Sequence, residues 1–288
     1  MHYFVDMHDG RMNFITNIDD EKCKRVVDAN EAVQDILKFY TLGRNVFNAL
    51  NELQDWSVQT QHNANQLLHS VSQGEQLVRR FLLEFRTCLD HMETHIKRNY
   101  GKKSALWQVF CNETSKAYDH CLEYAFTYHL RNYGQHCNSV VHGLMGSTGI
   151  GISSNVSILL SSYADWKPID KEYMEKVGRD IDLCDMLSKA FYALNSALKG
   201  ILQHMLKYDN VGNKLLYLRR WGDSLSGSFQ HAVNSFHIYN LIFADGSSAT
   251  WEDLATGDVH IHACAINWEM IYEFTECLAA AKYMDEDV

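Results

Sequence analysis

Apolar residues recur at three- and four-residue steps along most of the first 140 positions, which is the period of an α-helix. The acidic run Asp19–Glu21 suits a helix N-terminus and predicts the start of a first helix. A second helix is expected over 44–56, and a long third one from about Val58 to Tyr100, kinked or interrupted at Gly74. This part of the chain therefore predicts long amphipathic helices.

A helix boundary is predicted just after this region. Gly101 stands where a helix C-cap belongs, and Ser104 can cap a new helix from Ala105 to about His136. The apolar stripe of that helix consists of Leu106, Phe110, Ala117, Cys121, Tyr124, Ala125 and Tyr128. Because antiparallel helices with short connections are typical of a helical bundle, we expect a bundle over residues 19–140.

The pattern differs at both ends of the chain. Short β-prone runs on either side of Asp9-Gly10 predict a hairpin over residues 1–18, with an irregular N-terminal arm as the alternative. Beyond residue 140 the pattern is mixed. It predicts a β-prone run at Val156–Leu160, helical periodicity over 170–208, a turn of helix at Trp251–Leu254, a strand at Val259–Cys264 and a last helix at Asn267–Lys282.

The predicted fold is therefore mainly α. It consists of a helical bundle with a smaller α+β C-terminal portion, residues 141–288, which we expect to pack on the bundle. The single proline, Pro168, agrees with this interpretation because long helices tolerate few prolines.

Charge and cysteine usage narrow the function classes. The 288 residues include 26 Lys and Arg against 36 Asp and Glu, and this net charge of −10 excludes a uniformly basic protein that wraps nucleic acid. The eight cysteines form no C-x-x-C pair, which excludes zinc ribbons and thioredoxin-type motifs. The first ten residues lack the basic and apolar regions of a secretory signal, and no apolar run is long enough to span a membrane. We expect a cytoplasmic protein with reduced thiols.

Three polar residues near the end of the predicted helix 105–136 indicate a candidate catalytic site. Arg131 is followed directly by Asn132 and, after four intervening residues, by His136. At about 100° per residue, Asn132 and His136 lie about 40° apart around a helix, whereas Arg131 lies about 140° from His136. The long Arg131 side chain must therefore reach round to join the other two. Because the motif continues the apolar stripe, its polar groups need partners or a wet cleft.

These three side chains supply the groups that RNA cleavage by its own 2′-hydroxyl requires. The guanidinium of Arg131 binds phosphate bidentately and stabilises its charge. The imidazole of His136 moves protons near neutral pH. The amide of Asn132 can orient either group or hold a ribose or phosphate oxygen.

The stretch Tyr124–Cys137 (YAFTYHLRNYGQHC), in its all-helical context, resembles the HEPN superfamily. The signature of that family is an Arg, four to six residues and a His, usually with a polar residue after the Arg. The resemblance implies a metal-independent endoribonuclease that cleaves RNA through 2′-hydroxyl attack and leaves a cyclic phosphate. It implies Arg131, Asn132 and His136 as catalytic residues, with no cofactor.

The same resemblance implies a composite site at which the motifs of a homodimer face each other. By family analogy it also implies a toxin or phage-defence role, with an antitoxin or regulatory protein as partner. The alternative is a non-catalytic HEPN-like interaction or scaffold protein. In that case Arg131 pairs with a carboxylate, and His136 only caps or packs.

A basic turn precedes the helix that carries the motif. Its cations are Lys97, Arg98, Lys102 and Lys103. Such a cluster can bind RNA phosphates in an otherwise acidic protein. A solvated turn whose cations complement a helix C-terminus is the alternative. Arg79 and Arg80 form a further basic pair without discriminating context.

Two other patterns resemble ligand-binding motifs. His260, His262 and Cys264 alternate and would share one face of the predicted strand, as metal ligands can. Because no fourth ligand is identifiable, a partly buried strand is favoured and no metal site is predicted. The glycine-rich segment 143–151 lacks the Gly-Lys-Ser/Thr ending of a phosphate loop, which favours a connection out of the bundle.

Overall fold

The computed structural model describes residues 2–8, 11–60, 67–145, 151–226, 236–243, 247, 250, 259–264 and 266–280. The first elements are, in chain order, β1 (His2–His8), β2 (Arg11–Ile18), α1 (Asp20–Thr60), α2 (Leu67–Asn99), α3 (Ala105–His120), α4 (Leu122–His136), β3 (Gly143–Met145) and β4 (Gly151–Asn155). The others are α5 (Val156–Ser162), α6 (Pro168–Val177), β5 (Asp180–Asp182), α7 (Leu183–Lys207), α8 (Val211–Ser226), β6 (Phe236–Phe243), β7 (Val259–Cys264) and α9 (Trp268–Ala280).

Helices dominate the described part of the chain, and two small antiparallel sheets accompany them. The predicted mainly α fold with a smaller α+β part is confirmed. Within the described residues, no helix has both the length and the apolar character that crossing a membrane requires.

The chain divides into two compact units, residues 1–38 with 206–288, and residues 39–205. Helices α1 and α7 each continue from one unit into the other. The units therefore do not end where the sequence-based ranges 1–18, 19–140 and 141–288 end. The sequence-based ranges were placed where the composition changes, whereas the boundaries of the units fall inside the long helices α1 and α7.

The predicted boundary at Gly101 is present. Gly101 has a φ of +84°, which a residue without a Cβ adopts readily, and its N–H and that of Tyr100 donate to the carbonyl of Ile96. The Ser104 side chain accepts the N–H of Trp107 at 3.1 Å and caps α3.

Other helix boundaries differ from the prediction. A single helix over 105–136 is wrong, because Cys121 has an extended backbone that ends α3 and begins α4. The expected second helix over 44–56 is part of α1. Helix α2 is unbroken at Gly74, where an added Cβ would lie 2.7 Å from the Trp56 ring. Gly74 therefore permits close packing rather than a kink.

The region after residue 150 also departs from the prediction. The β-prone run Val156–Leu160 is helical, because the Asn155 side chain accepts the N–H of Ile158 at 3.2 Å and caps α5. The helical stretch 170–208 is interrupted by β5, which pairs with β4. The centre of the glycine-rich connection, 146–150, lies outside the described residues.

The core of residues 39–205 surrounds α4. Helix α4 packs against α2, α3 and α6, and its residues Tyr124, Phe126, Leu130 and Tyr133 are buried. The Phe126 and Trp166 rings stack at 5.3 Å. Burying an apolar side chain of this size stabilises a fold by about 1.5–3 kcal/mol. Helix α4 is thus a fixed support for the motif at its end.

The other unit is built on a sheet with strand order β2-β1-β6-β7. Strands β1 and β2 pair in antiparallel register with His8 opposite Arg11. Strand β7 has the predicted bounds, and α9 begins one residue after the predicted start. Strand β6 was not predicted. The expected turn of helix at Trp251–Leu254 lies outside the described residues.

Candidate functional site

The Arg131–His136 motif forms the last two turns of α4. Arg131 and Asn132 are half-buried, whereas His136 is exposed in the final turn. The motif therefore joins a half-buried guanidinium to an exposed histidine at one helix end.

Arg131 has few partners. Its Nη1 lies 3.5 Å from the side-chain oxygen of Asn132, and its Nε is buried without a hydrogen-bond partner. Among the described residues it forms no ion pair with a carboxylate. The predicted alternative, in which Arg131 pairs with a carboxylate, is therefore not found in the described part of the chain. The guanidinium remains available to an external anion.

The structure brings Arg131 and Asn132 together but leaves His136 apart from both. No hydrogen bond joins His136 to a described residue, and its side chain faces solvent. Around the helix, Asn132 and His136 share a face, as the spacing predicts. A single chain thus places Arg131, Asn132 and His136 at one helix end, but His136 does not contact the other two side chains through a hydrogen bond.

Arg79 fixes the end of α4 beside the motif. Its Nη1 donates to the backbone carbonyl of Gly134, and its Nη2 donates to that of Asn138 at 3.2 Å. These carbonyls belong to the last turn of α4 and the loop after it, where a helix leaves its acceptors unpaired. Arg79 is therefore a capping residue, a role that its Arg79-Arg80 sequence did not reveal.

Glu75 holds both Arg79 and the loop. Its carboxylate lies 2.5 Å from Arg79 Nε and accepts the N–H of Val141 at 2.7 Å, the N–H of Val140 at 3.1 Å and the hydroxyl of Ser139 at 2.7 Å. Sequence reasoning missed Glu75, because its partners in the loop follow it by 64 to 66 positions.

Replacing Glu75 with alanine is expected to destabilise the protein by about 2–3 kcal/mol, because two buried backbone N–H groups lose their acceptor. The matched control is Glu52→Ala, which removes the partly exposed partner of Arg80 and should cost about 1 kcal/mol or less. Urea unfolding curves of the two variants measure the difference. Equal stabilities would contradict the anchoring role of Glu75.

A second polar pair includes His129, which lies two residues before the motif on α4. His129 Nδ1 is 2.9 Å from an oxygen of Asp170 on α6, and Asp170 is completely buried. The other Asp170 oxygen accepts the backbone N–H of Lys167 at 2.8 Å. Neither His129 nor Asp170 was singled out from the sequence, since 41 residues separate them.

Of the four cations predicted to bind RNA, Lys97 and Arg98 lie in the last turn of α2, and Lys102 and Lys103 lie in the turn between α2 and α3. Lys97 pairs with Glu93 and lies over the Trp107 ring at 5.1 Å. The other three are exposed and form no ion pair with a described residue: Arg98, Lys102 and Lys103.

The basic turn and the motif lie at opposite ends of the α2–α4 pair. The two helices run antiparallel, because Arg79 contacts Gly134 whereas Arg86 lies over the Tyr128 ring at 3.9 Å. At 1.5 Å per residue, Arg98 lies about 28 Å along α2 from Arg79. The structure therefore does not bring the four cations together with Arg131 and His136.

No group of three His, Cys, Asp or Glu residues suited to a metal ion occurs among the residues described. Of the three candidate ligands on β7, His260 is exposed and Cys264 is half-buried, with Asn30 Nδ2 donating to its sulfur at 3.6 Å. The His262 side chain lies outside the described set.

Comparisons with protein-family models, with curated proteins and with solved structures find no match for this chain. The resemblance to the HEPN superfamily therefore rests on the Arg131–His136 motif and its helical setting alone.

Proposed function

We propose that this protein is a metal-independent endoribonuclease of the HEPN type, acting as a homodimer. The substrate is RNA, which is cleaved through attack of a 2′-hydroxyl on the adjacent phosphate. Arg131, Asn132 and His136 are the active-site residues, and two copies of the motif form one composite site.

The observation that carries the proposal is the state of Arg131. A half-buried guanidinium with no carboxylate partner in the described part of the chain, and with a buried unpaired Nε, is costly unless an anion binds there. In a protein of net charge −10, an arginine without a carboxylate partner in the described part of the chain, on the same helix end as an exposed histidine, supports a phosphate site.

The chemistry follows from the two side chains. The guanidinium neutralises charge that builds up on the phosphate oxygens in the transition state. The His136 imidazole transfers a proton to or from a ribose oxygen. Asn132, already beside the Arg131 guanidinium, orients it or holds a substrate oxygen.

The basic turn has a separate role in this proposal. Because it lies about 28 Å from the motif along α2, it contacts a distant part of the RNA rather than the scissile phosphate. The exposed cations of the turn then contribute salt-dependent affinity without affecting the cleavage step.

One observation favours a non-catalytic HEPN-like interaction protein instead. In the single chain, His136 contacts neither Arg131 nor Asn132 within the described residues. An active enzyme requires a second chain or a bound RNA to complete the arrangement, whereas a scaffold protein does not. Cleavage of RNA that depends on Arg131 and His136 distinguishes the two functions.

Cleavage should persist in excess EDTA, because a guanidinium and imidazoles supply the charge stabilisation and proton transfers. The measurement is incubation of the purified protein with total RNA, with and without EDTA, followed by analysis for 2′,3′-cyclic phosphate ends. Arg131→Ala serves as the inactive reference. Activity lost on chelation and restored by Mg²⁺ or Zn²⁺ would contradict the proposal.

A further inference from the structure

The His129–Asp170 pair has the architecture of an oriented proton acceptor. Asp170 is completely buried on α6 and uses one oxygen for the Lys167 N–H and the other for His129 Nδ1. A carboxylate that accepts at both oxygens requires His129 to carry its proton on Nδ1. The Nε2 lone pair is then directed away from Asp170.

His129 Nε2 is accessible. The side chain of His129 is 15% exposed, and its Nε2 is neither hydrogen-bonded to a described residue nor among the buried unpartnered atoms of the described part of the chain. The Tyr118 and Tyr128 rings pack perpendicular to the imidazole, with centroids at 6.0 and 5.4 Å. These contacts fix the ring plane, and they leave the second nitrogen open to solvent.

The charged and titratable groups around His129 come from three helices packed on α4. Asp170 of α6 is in direct contact, and Tyr118 of α3 has its pKa raised by burial and by the nearby Asp170 and Asp119. From α2, Arg86 lies over the Tyr128 ring and pairs with Asp90 at 2.9 Å. Asp170 is the only one of these groups that hydrogen-bonds to His129.

His129 shares a face of α4 with His136 and Asn132 of the motif. Seven residues bring a helix round to within about 20°, so His129 and His136 lie on one side, about 10.5 Å apart along the axis. Asn132 lies between them along the axis, and around the helix it is about 60° from His129 and about 40° from His136. Arg131 is about 160° from His129, although its guanidinium turns towards Asn132.

We propose that His129, oriented by Asp170, is the general base of the RNA cleavage, and that His136 is the general acid. This inference rests on the proposed function and adds a second proton-transfer residue to the same site. Asp170 is a positioning residue, because it acts through His129.

The proposed step balances without any co-reactant. His129 Nε2 takes the proton of the 2′-hydroxyl as the 2′ oxygen forms a bond to phosphorus. The bond from phosphorus to the 5′ oxygen breaks, and protonated His136 donates a proton to that leaving oxygen. The products are a 2′,3′-cyclic phosphate and a 5′-hydroxyl, and proton exchange with water restores both histidines.

Two substitutions test the base without removing the contact between α4 and α6. The side-chain amide of His129→Asn can still donate to Asp170 from the place of Nδ1, but it cannot accept a proton. Asp170→Asn can still accept the Lys167 N–H, but its amide donates to Nδ1 and moves the histidine proton to Nε2. Each variant is expected to lose about 10²- to 10⁴-fold in kcat.

The matched control is His120→Asn on α3. His120 is an exposed histidine whose Nδ1 lies 2.9 Å from a backbone carbonyl, and its replacement should leave kcat unchanged. Thermal unfolding of all three variants establishes that they fold. ¹⁵N NMR of the wild-type histidines tests the position of the His129 proton without a substitution. It should show His129 with a protonated Nδ1 and an unprotonated Nε2.

A modified substrate separates the two histidines. When sulfur replaces the bridging 5′ oxygen, the leaving group needs no protonation. This RNA should restore cleavage by His136→Ala but not by His129→Asn. Two outcomes would overturn the role of His129 but not the proposed ribonuclease function. One is rescue of both variants by this RNA, and the other is full activity of folded His129→Asn on ordinary RNA while His136→Ala is inactive. Absence of cleavage by the wild type would overturn both this role and the proposed ribonuclease function.

Discussion

Replacing His136 with alanine is expected to abolish RNA cleavage while the protein stays folded. His136 is exposed at the end of α4 and forms no hydrogen bond with a described residue, so its replacement breaks no hydrogen bond in the described part of the chain. The free energy of unfolding should therefore change by about 1 kcal/mol or less. In contrast, loss of a proton-transfer group should reduce kcat by about 10²- to 10⁴-fold.

The control for this variant is His120→Ala. His120 is also exposed in the last turn of a helix, α3, so it matches His136 in position but lies outside the motif. Cleavage of a labelled single-stranded RNA and urea unfolding should be measured on both variants. Undiminished cleavage by folded His136→Ala would eliminate the proposed catalytic role.

Features encoded by neighbouring residues were predictable from the sequence. The end of α2 at Gly101 and the start of α3 at Ser104 depend on a positive φ and on a side chain that caps three residues ahead. The bounds of β7 follow from alternation along six residues. The positions of Arg131, Asn132 and His136 on one helix end were predictable for the same reason.

Features that depend on distant residues were not predictable. The break at Cys121 carries no Gly or Pro signal, and strand β6 is defined by its pairing with β1, more than 200 residues earlier. Glu75 looks like an ordinary helix-surface residue until the loop at Val141 folds onto it. In the same way, the pairing of His129 with Asp170 depends on how α6 packs against α4.

Mixing two inactive variants, Arg131→Ala and His136→Ala, is expected to restore part of the cleavage activity. A two-fold axis places each motif opposite its own copy, so one cleft contains two guanidiniums and two imidazoles. Such guanidiniums repel each other unless an anion lies between them, which suits a bound phosphate. A heterodimer of the two variants keeps one Arg131 and one His136, contributed by different chains.

Random exchange of equal amounts should place roughly half of the chains in heterodimers, each with one complete set of groups instead of two. We therefore expect roughly a quarter of the wild-type activity to return, measured on labelled RNA after the dimers have exchanged subunits.

The control replaces His136→Ala with the double variant Arg131→Ala, His136→Ala, which supplies no guanidinium and should restore nothing. Light scattering gives the oligomeric state, and fluorescence transfer between labelled chains verifies exchange. A strict monomer, or exchanged dimers without restored activity, would reject the composite site, because a site contained within one chain cannot be completed by its partner.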